Sequence, residues 1–184
     1  MYAESADPWH LESRWYEQRK YAITTALLPY PRYRHAFEPG CSVGVLTERL
    51  VGRCDHVTST DISVGALDAT HRRLTAAGVG NRVTLLRGSL DQPWPAGPFF
   101  RPGGALGGVL LPTAFGAAGG ARSRGAPRLA RAATVVAAHW RHRVEDYPMT
   151  GDRANDIIGA TPGLHHLGVY RDADVVIDVF DNVG

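Results

Sequence analysis

The segment Glu38-Pro39-Gly40-Cys41-Ser42-Val43-Gly44, with Asp61 beyond it, constrains this chain more than any other feature. It lies between a short apolar run, His35-Ala36-Phe37, and a helical run, Val45–Val51. It therefore reads as a strand, a glycine turn and a helix start. Gly40 and Gly44 carry no Cβ, so they tolerate strained dihedrals and let a ligand approach the main chain closely. The helix behind the turn opens with free N–H groups. Asp61 ends a second alternating run, His56–Thr60, where a carboxylate accepts both hydroxyls of a ribose. In this order the parts describe a nucleoside site on a parallel sheet. The plain alternative is a strand-turn-helix junction that binds nothing.

The glycine spacing selects the nucleoside. A dinucleotide fingerprint needs G-x-G-x-x-G, whose second glycine makes room for a pyrophosphate. Here the order is Gly40-x-Ser42-x-Gly44, with Glu38 two residues ahead of the first glycine. A carboxylate there repels a pyrophosphate but suits an ammonium, directly or through water. An amine and a ribose without a phosphate fit S-adenosylmethionine. The pattern resembles the first motif of class I methyltransferases, in which an acid-x-Gly-x-Gly-x-Gly loop cradles the methionine part. Ser42 replaces the middle glycine of the commonest form and is small enough to keep the turn.

The order of elements supports an α/β reading. Residues from Pro8 to Leu28 form a helical leader, which Pro29 and Pro31 stop. A first strand ends at Glu38, a helix runs from Gly44 to Val51, and a second strand ends at Asp61. Ser63 caps the next helix, Val64–Ala77, and Gly78 and Gly80 terminate it. A third strand spans Arg82–Arg87, followed by a turn at 88–93. Thr134–His139 is a continuous apolar strand suited to a sheet centre. A short helix near Asp152–Gly159 follows. Leu167–Phe180 reads as two strands about a turn at Arg171–Asp174. This alternation gives a doubly wound, Rossmann-like sheet. The resemblance adds that the last two strands close it as an antiparallel hairpin.

At 184 residues the chain reads as one domain, 1–184, with residues 1–30 as its leader. Apolar residues make up 44% and charged residues 21%, an ordinary globular balance. A net charge of +2 gives no global field calling for nucleic acid or an anionic membrane. No apolar run approaches the roughly 20 residues of a membrane helix. The acidic start, Met1–Asp7, lacks the basic-then-apolar pattern of a signal peptide. Cys41 and Cys54 make no disulfide framework and read as reduced packing residues. Cytoplasmic localisation is the expectation.

Asp7-Pro8-Trp9 and Trp15–Lys20 narrow the resemblance. They are similar to the leader of the nodulation S group, N-methyltransferases acting on chito-oligosaccharide signal precursors. The likeness covers residues 7–99 and 134–181. Carried over by position, Trp9 covers the cofactor and Lys20 meets its methionine carboxylate, a charge-assisted contact about twice as strong as a neutral one. The alternative makes Trp9 a hydrophobic staple and Lys20 a solvated helix charge. Ser89 and Leu90 match positions at the adenine edge and face, with Ser89 standing where aspartate is often found. The cofactor set implied is Trp9, Lys20, Glu38, Gly40, Cys41, Gly44, Asp61, Ile62, Ser89 and Leu90. The reaction implied is methyl transfer to N or O of a small or sugar-like acceptor, in which the protein aligns the nucleophile and removes a proton.

Catalytic residues are not named by any motif. His139-Trp140-Arg141-His142 follows the central strand, at the sheet edge where α/β proteins bind ligands. His139 is the candidate general base, against the alternative of a satisfied loop histidine. His139, His142, His165 and His166 have no metal spacing.

Between Asp91 and Glu145 there is no acidic residue, and residues 100–126 are dense in Gly, Ala, Arg and Pro. A methyltransferase needs its apolar fourth strand here, and glycine pairs with Pro102 make a poor one. Arg101–Pro112 has a possible coding whose next reading frame gives Asp-Leu-Val-Val-Leu-Ser-Glu-Val-Ser-Tyr-Tyr-Leu, a sequence like that missing strand. A pair of compensating frameshifts, near Phe100 and shortly before Thr134, accounts for the atypical segment 100–133. Two other functions stay open. One is a nucleic-acid-binding module built on Arg101, Arg122, Arg124, Arg128, Arg131, Arg141 and Arg143. The other is a non-catalytic S-adenosylmethionine-binding remnant.

Overall fold

Tyr33–Pro39 (β1) and Cys54–Asp61 (β2) are strands buried along most of their length, as parallel strands covered on both faces must be. They belong to a computed structural model that describes residues 11–89, 108–110, 133–143 and 149–182, with only the backbone at 108–110. The chain divides into two compact units, Met1–Ser89 and Leu90–Gly184.

In the first unit β2 lies between β1 and Val83–Arg87 (β3), both parallel to it. The register runs Tyr33↔Cys54 to Pro39↔Thr60 on one side and Val57↔Val83 to Asp61↔Arg87 on the other. Parallel neighbours need crossovers. Val45–Val51 (α2) supplies one and Val64–Ala76 (α3) the other. Ser63 caps α3 by accepting from Ala66 N at 3.3 Å, and Gly78 ends it at φ 69°. A 3₁₀ turn at Gly80–Arg82 takes the place of the expected first residue of β3.

The leader is shorter than its composition suggested. Leu11–Ser13 form a turn, Arg14 is extended, and the helix α1 spans only Trp15–Ala26. Arg53, just past α2, holds the end of this helix. Its guanidinium donates to the carbonyls of Thr25, Leu28, Tyr30 and Pro31. Arg82 does the same for the α2–β2 junction, donating to Val51, Cys54 and Asp55 carbonyls.

The second unit is built on Ala133–Trp140 (β5), buried up to its last residue. Gly108–Leu110 (β4) runs parallel to it through Val109↔Thr134 and Leu110↔Val135. A fourth strand therefore exists where glycine and proline argued against one, but it is three residues long. Val175–Asn182 (β7) is antiparallel to β5 and to Leu164–Arg171 (β6). The β6–β7 hairpin turns on Asp172, whose Oδ1 accepts from Asp174 N at 2.8 Å and Val175 N at 2.9 Å. Gly151–Gly159 (α4) packs on β5 and β7, capped by Thr150.

The turn at 90–93, the expected frameshift boundaries, and Arg101, Arg122, Arg124, Arg128 and Arg131 lie outside the described residues. Among the described residues no helix is long and apolar enough to cross a membrane. None of their His, Cys, Asp and Glu side chains gather in threes to hold a metal ion.

Candidate functional site

The turn after β1 is left-handed at three positions: Gly40 (φ 75°), Ser42 (φ 50°) and Gly44 (φ 75°). Left-handed backbone costs a residue with a Cβ about 1–2 kcal/mol, so glycine serves at two of the three. Ser42 bears that cost and is gripped at both ends. Its N–H donates to Asp61 Oδ2 at 2.9 Å, and its carbonyl accepts from Thr70 Oγ1 at 2.7 Å. Gly40 N and Cys41 N both donate to Thr60 O. Arg73, one turn past Thr70 on α3, donates to the Val43 carbonyl at 2.9 Å. At Gly44 a Cβ would lie 2.6 Å from Thr70 Cγ2, so the close approach of α3 also requires glycine.

Asp61 is buried at the end of β2. One carboxylate oxygen takes the Ser42 N–H and the other takes the Ser63 N–H, each at 2.9 Å. The carboxylate thus ties the glycine turn to the start of α3. Each of its oxygens keeps a second acceptor position, which two ribose hydroxyls would need. Ser63, not Asp61, is the helix cap.

Glu38 is 2% exposed at the foot of the turn. Its Oε2 accepts from Thr47 Oγ1 at 2.5 Å and from Ser59 Oγ at 3.1 Å. Burial pushes its carboxyl up to about 7; the two hydroxyl bonds oppose that shift and the Asp61 charge adds to it. A buried carboxyl of this kind gains by meeting a cation, which repays its desolvation. Cys41 is buried, and burial pushes its thiol well above the usual range, so it packs and does not react.

Other expected residues have their own surroundings. Ile62 is 65% exposed directly after Asp61, an apolar surface beside the carboxylate, with its carbonyl held by Arg87 Nε. Ser89 is half-buried just past β3. Lys20 is buried on α1, with Nζ 2.5 Å from Glu17 Oε2 and 4.8 Å above the Tyr21 ring. The Glu17 contact is close but not aligned as a hydrogen bond. Trp9 and Leu90 lie outside the described residues. In the second unit, His139 is buried at the carboxyl end of β5, with Nδ1 2.6 Å from Asn155 Oδ1.

Four residues of the turn's scaffold escaped the motif: Thr47, Ser59, Thr70 and Arg73. Ser59 had a signal, since parallel pairing sets it opposite Glu38. Thr70 and Arg73 sit three apart and so share a helix face, but nothing in the spacing says which face meets the turn.

This architecture is the Rossmann-like fold of class I methyltransferases. A presumed methyltransferase of Pseudomonas syringae superposes with a TM-score of 0.67 at 25% identity, over 91% of this chain and 99% of that one. The N-methyltransferase NodS of Bradyrhizobium japonicum WM9, in complex with S-adenosyl-L-homocysteine, gives 0.76 at 16% identity, over 100% and 97%. The family model described as nodulation protein S (NodS) matches residues 3–81 of this chain. Nodulation protein S of Rhizobium tropici is 35% identical over 69 residues, covering 37% of this chain and 29% of that protein. The same protein of Sinorhizobium fredii (strain NBRC 101917 / NGR234) is 32% identical over 69 residues, covering 37% and 32%. The matched region thus spans about a third of these curated relatives' length.

Proposed function

We propose that the chain binds S-adenosylmethionine at the turn after β1 and transfers the methyl group to N or O of a small or sugar-like acceptor. The turn itself carries this reading: three left-handed residues between a buried acid and a strand-end aspartate, with a carboxyl at Glu38 that disfavours a pyrophosphate. Glu38 faces the amine of the amino-acid part, Asp61 the ribose hydroxyls, and Ile62 the flat adenine. Lys20 would exchange Glu17 for the cofactor's carboxylate. Trp9, Ser89 and Leu90 complete the set. The family match over residues 3–81 and the S-adenosyl-L-homocysteine complex of a protein with this fold support the same cofactor.

The cofactor supplies an electrophilic methyl group, and the chain supplies alignment and a proton acceptor. His139, near the carboxyl end of β5, is the candidate for that acceptor that the sequence offers. The nodulation S likeness favours an amine on an oligosaccharide as acceptor.

Calorimetric titration with S-adenosylhomocysteine tests the reading. A saturable heat with a matching rise in thermal midpoint is expected. A folded sample giving neither would overturn it, and binding of NAD instead would restore the dinucleotide reading.

A further inference from the structure

Resting on the methyl-transfer reading, we propose that Glu17 is a specificity-determining residue. It is the internal counterion of Lys20, competes with the ligand's carboxylate for that ammonium, and so sets how much the amino-acid part of a ligand adds to its affinity. The buried face of α1 is the starting observation. A helix packed on a globular core normally buries an apolar stripe. Here the buried positions are Glu17, Lys20, Tyr21 and Thr24, spaced as one helix face but mostly polar. Thr24 is satisfied within the helix, its Oγ1 donating to the Lys20 carbonyl at 2.9 Å. Glu17 and Lys20 are 3% and 8% exposed. Neither charge is solvated at that depth, so each depends on a partner.

The pair is close but poorly made. Nζ lies 2.5 Å from Glu17 Oε2, yet that buried oxygen accepts no hydrogen bond. Set three residues apart on one helix, the side chains bring their charges together without aligning donor on acceptor. A pair that served stability alone would use its hydrogen bonds, since charge-assisted ones are about twice as strong as neutral ones. An ammonium has three donors, and a ligand's carboxylate offers acceptors that can align with them. The pair also stands near the glycine turn. α1 packs against α2, the helix that leaves the turn, and Gln18 accepts from Arg49 on that helix. Arg73 links Glu12, just ahead of α1, to the Val43 carbonyl inside the turn. Taking Lys20 away leaves the Glu17 carboxylate buried without its cation, and that is costly. The cost falls on a ligand that draws on Lys20. A nucleoside without an amino-acid part leaves the pair intact and escapes it.

Calorimetric titration of the full chain with two probes tests this. One is S-adenosylhomocysteine; the other is 5′-methylthioadenosine, which keeps the nucleoside and the sulfur but lacks the amino-acid part. In Glu17→Gln the ammonium has lost its internal partner, so S-adenosylhomocysteine should bind about tenfold tighter while methylthioadenosine is unchanged. Glu17→Asp keeps the carboxylate and shortens its reach by one methylene. It should shift the ratio of the two affinities the same way by a smaller factor, and it serves where the glutamine variant does not fold. A purely structural pair would weaken both probes together or neither, leaving the ratio in place. A ratio that stays fixed, or that moves against S-adenosylhomocysteine, overturns the proposal while leaving the cofactor reading intact. Folded wild-type protein that binds neither probe overturns the methyl-transfer reading and this inference with it.

Discussion

The Asp61 carboxylate of the first unit is held by two main-chain N–H groups, whereas the Asp178 carboxylate of the second is held by two side chains, Asn155 and His166. The difference is one of freedom. Main-chain donors stand where the turn and the α3 start put them and can only donate. An imidazole can exchange donor for acceptor by moving a proton, and an amide can be replaced without rebuilding a loop. The first arrangement is therefore rigid and intolerant of substitution, and the second is adjustable.

The comparison is tested hardest at Gly44. Alanine there must take φ 75° and meet Thr70 Cγ2 at 2.6 Å. Left-handed strain and overpacking together should cost about 2–5 kcal/mol in urea unfolding, with loss of S-adenosylhomocysteine binding. Adding Thr70→Ser removes the methyl clash but not the dihedral strain, so it should recover only part of the loss. Full recovery would show the turn to be less rigid than its geometry.

Glu38 comes next. Its folded carboxyl is raised from the ordinary 4.5 to about 7, worth about 3 kcal/mol. A raised acid binds its proton more tightly when folded, so its contribution to stability is full below about 4.5 and lost as pH climbs through 7. His35, three residues earlier on β1, slopes the other way. Burial, then the charge of His56, lowers its imidazole to about 4, so its contribution is present above about 6.5 and lost as pH falls through 4. Between 4.5 and 6.5 the two offset each other. Glu38→Gln should raise stability at pH 8, leave it unchanged near pH 4, expose the opposite slope of His35, and weaken S-adenosylhomocysteine binding at pH 8. A pH dependence identical to wild type would mean that Glu38 does not ionise in this range.

The sharpest contrast is between two identical substitutions. In Asp61→Asn an NH₂ group must face either Ser42 N–H or Ser63 N–H, leaving one buried donor unmet at about 1–3 kcal/mol. Cofactor affinity should fall by a further tenfold to a hundredfold, about 1.5–3 kcal/mol. Asp178→Asn keeps a partner for each atom once His166 accepts from the new amide, so chemical denaturation should register under about 0.5 kcal/mol. Equal costs at the two sites would erase the distinction. A small effect of the opposite sign belongs to Ser42→Gly, which relieves left-handed strain but frees the unfolded chain, for a net gain of about 0.5 kcal/mol.

How much of this could be read beforehand depends on how the parts are spread along the chain. Glu38, Gly40, Gly44 and Asp61 were legible because a strand, a turn and the next strand bring them together over a short stretch. The hydrogen bonds of Asp61 were not, since the motif says nothing of which N–H groups face a carboxylate. The strand order 33–87 followed from alternation and glycine stops, with errors only at ends, such as α1 starting at Trp15 and not Pro8. His139 was seen as a strand-end histidine, but its partners stand on α4 and β7, and no spacing rule links them. β4 was illegible for a different reason: three residues carry too little pattern to outweigh the glycines around them. Sequencing codons 95–135 of the gene would settle whether that segment carries two frameshifts, because codons incompatible with the second reading end the idea.

The Arg53 clamp has one more consequence. Among the described residues its guanidinium donates to carbonyl oxygens, those of Thr25, Leu28, Tyr30 and Pro31. Every residue type offers that same oxygen, so the clamp is blind to which side chains the connecting segment carries and sensitive only to the path it takes. The stretch from 25 to 31 is thus free to drift in side-chain identity, while Arg53 itself has no equivalent: lysine reaches as far but presents a single nitrogen in place of a planar fork. A library randomised across that stretch should return many folded members, and one randomised at Arg53 should return arginine.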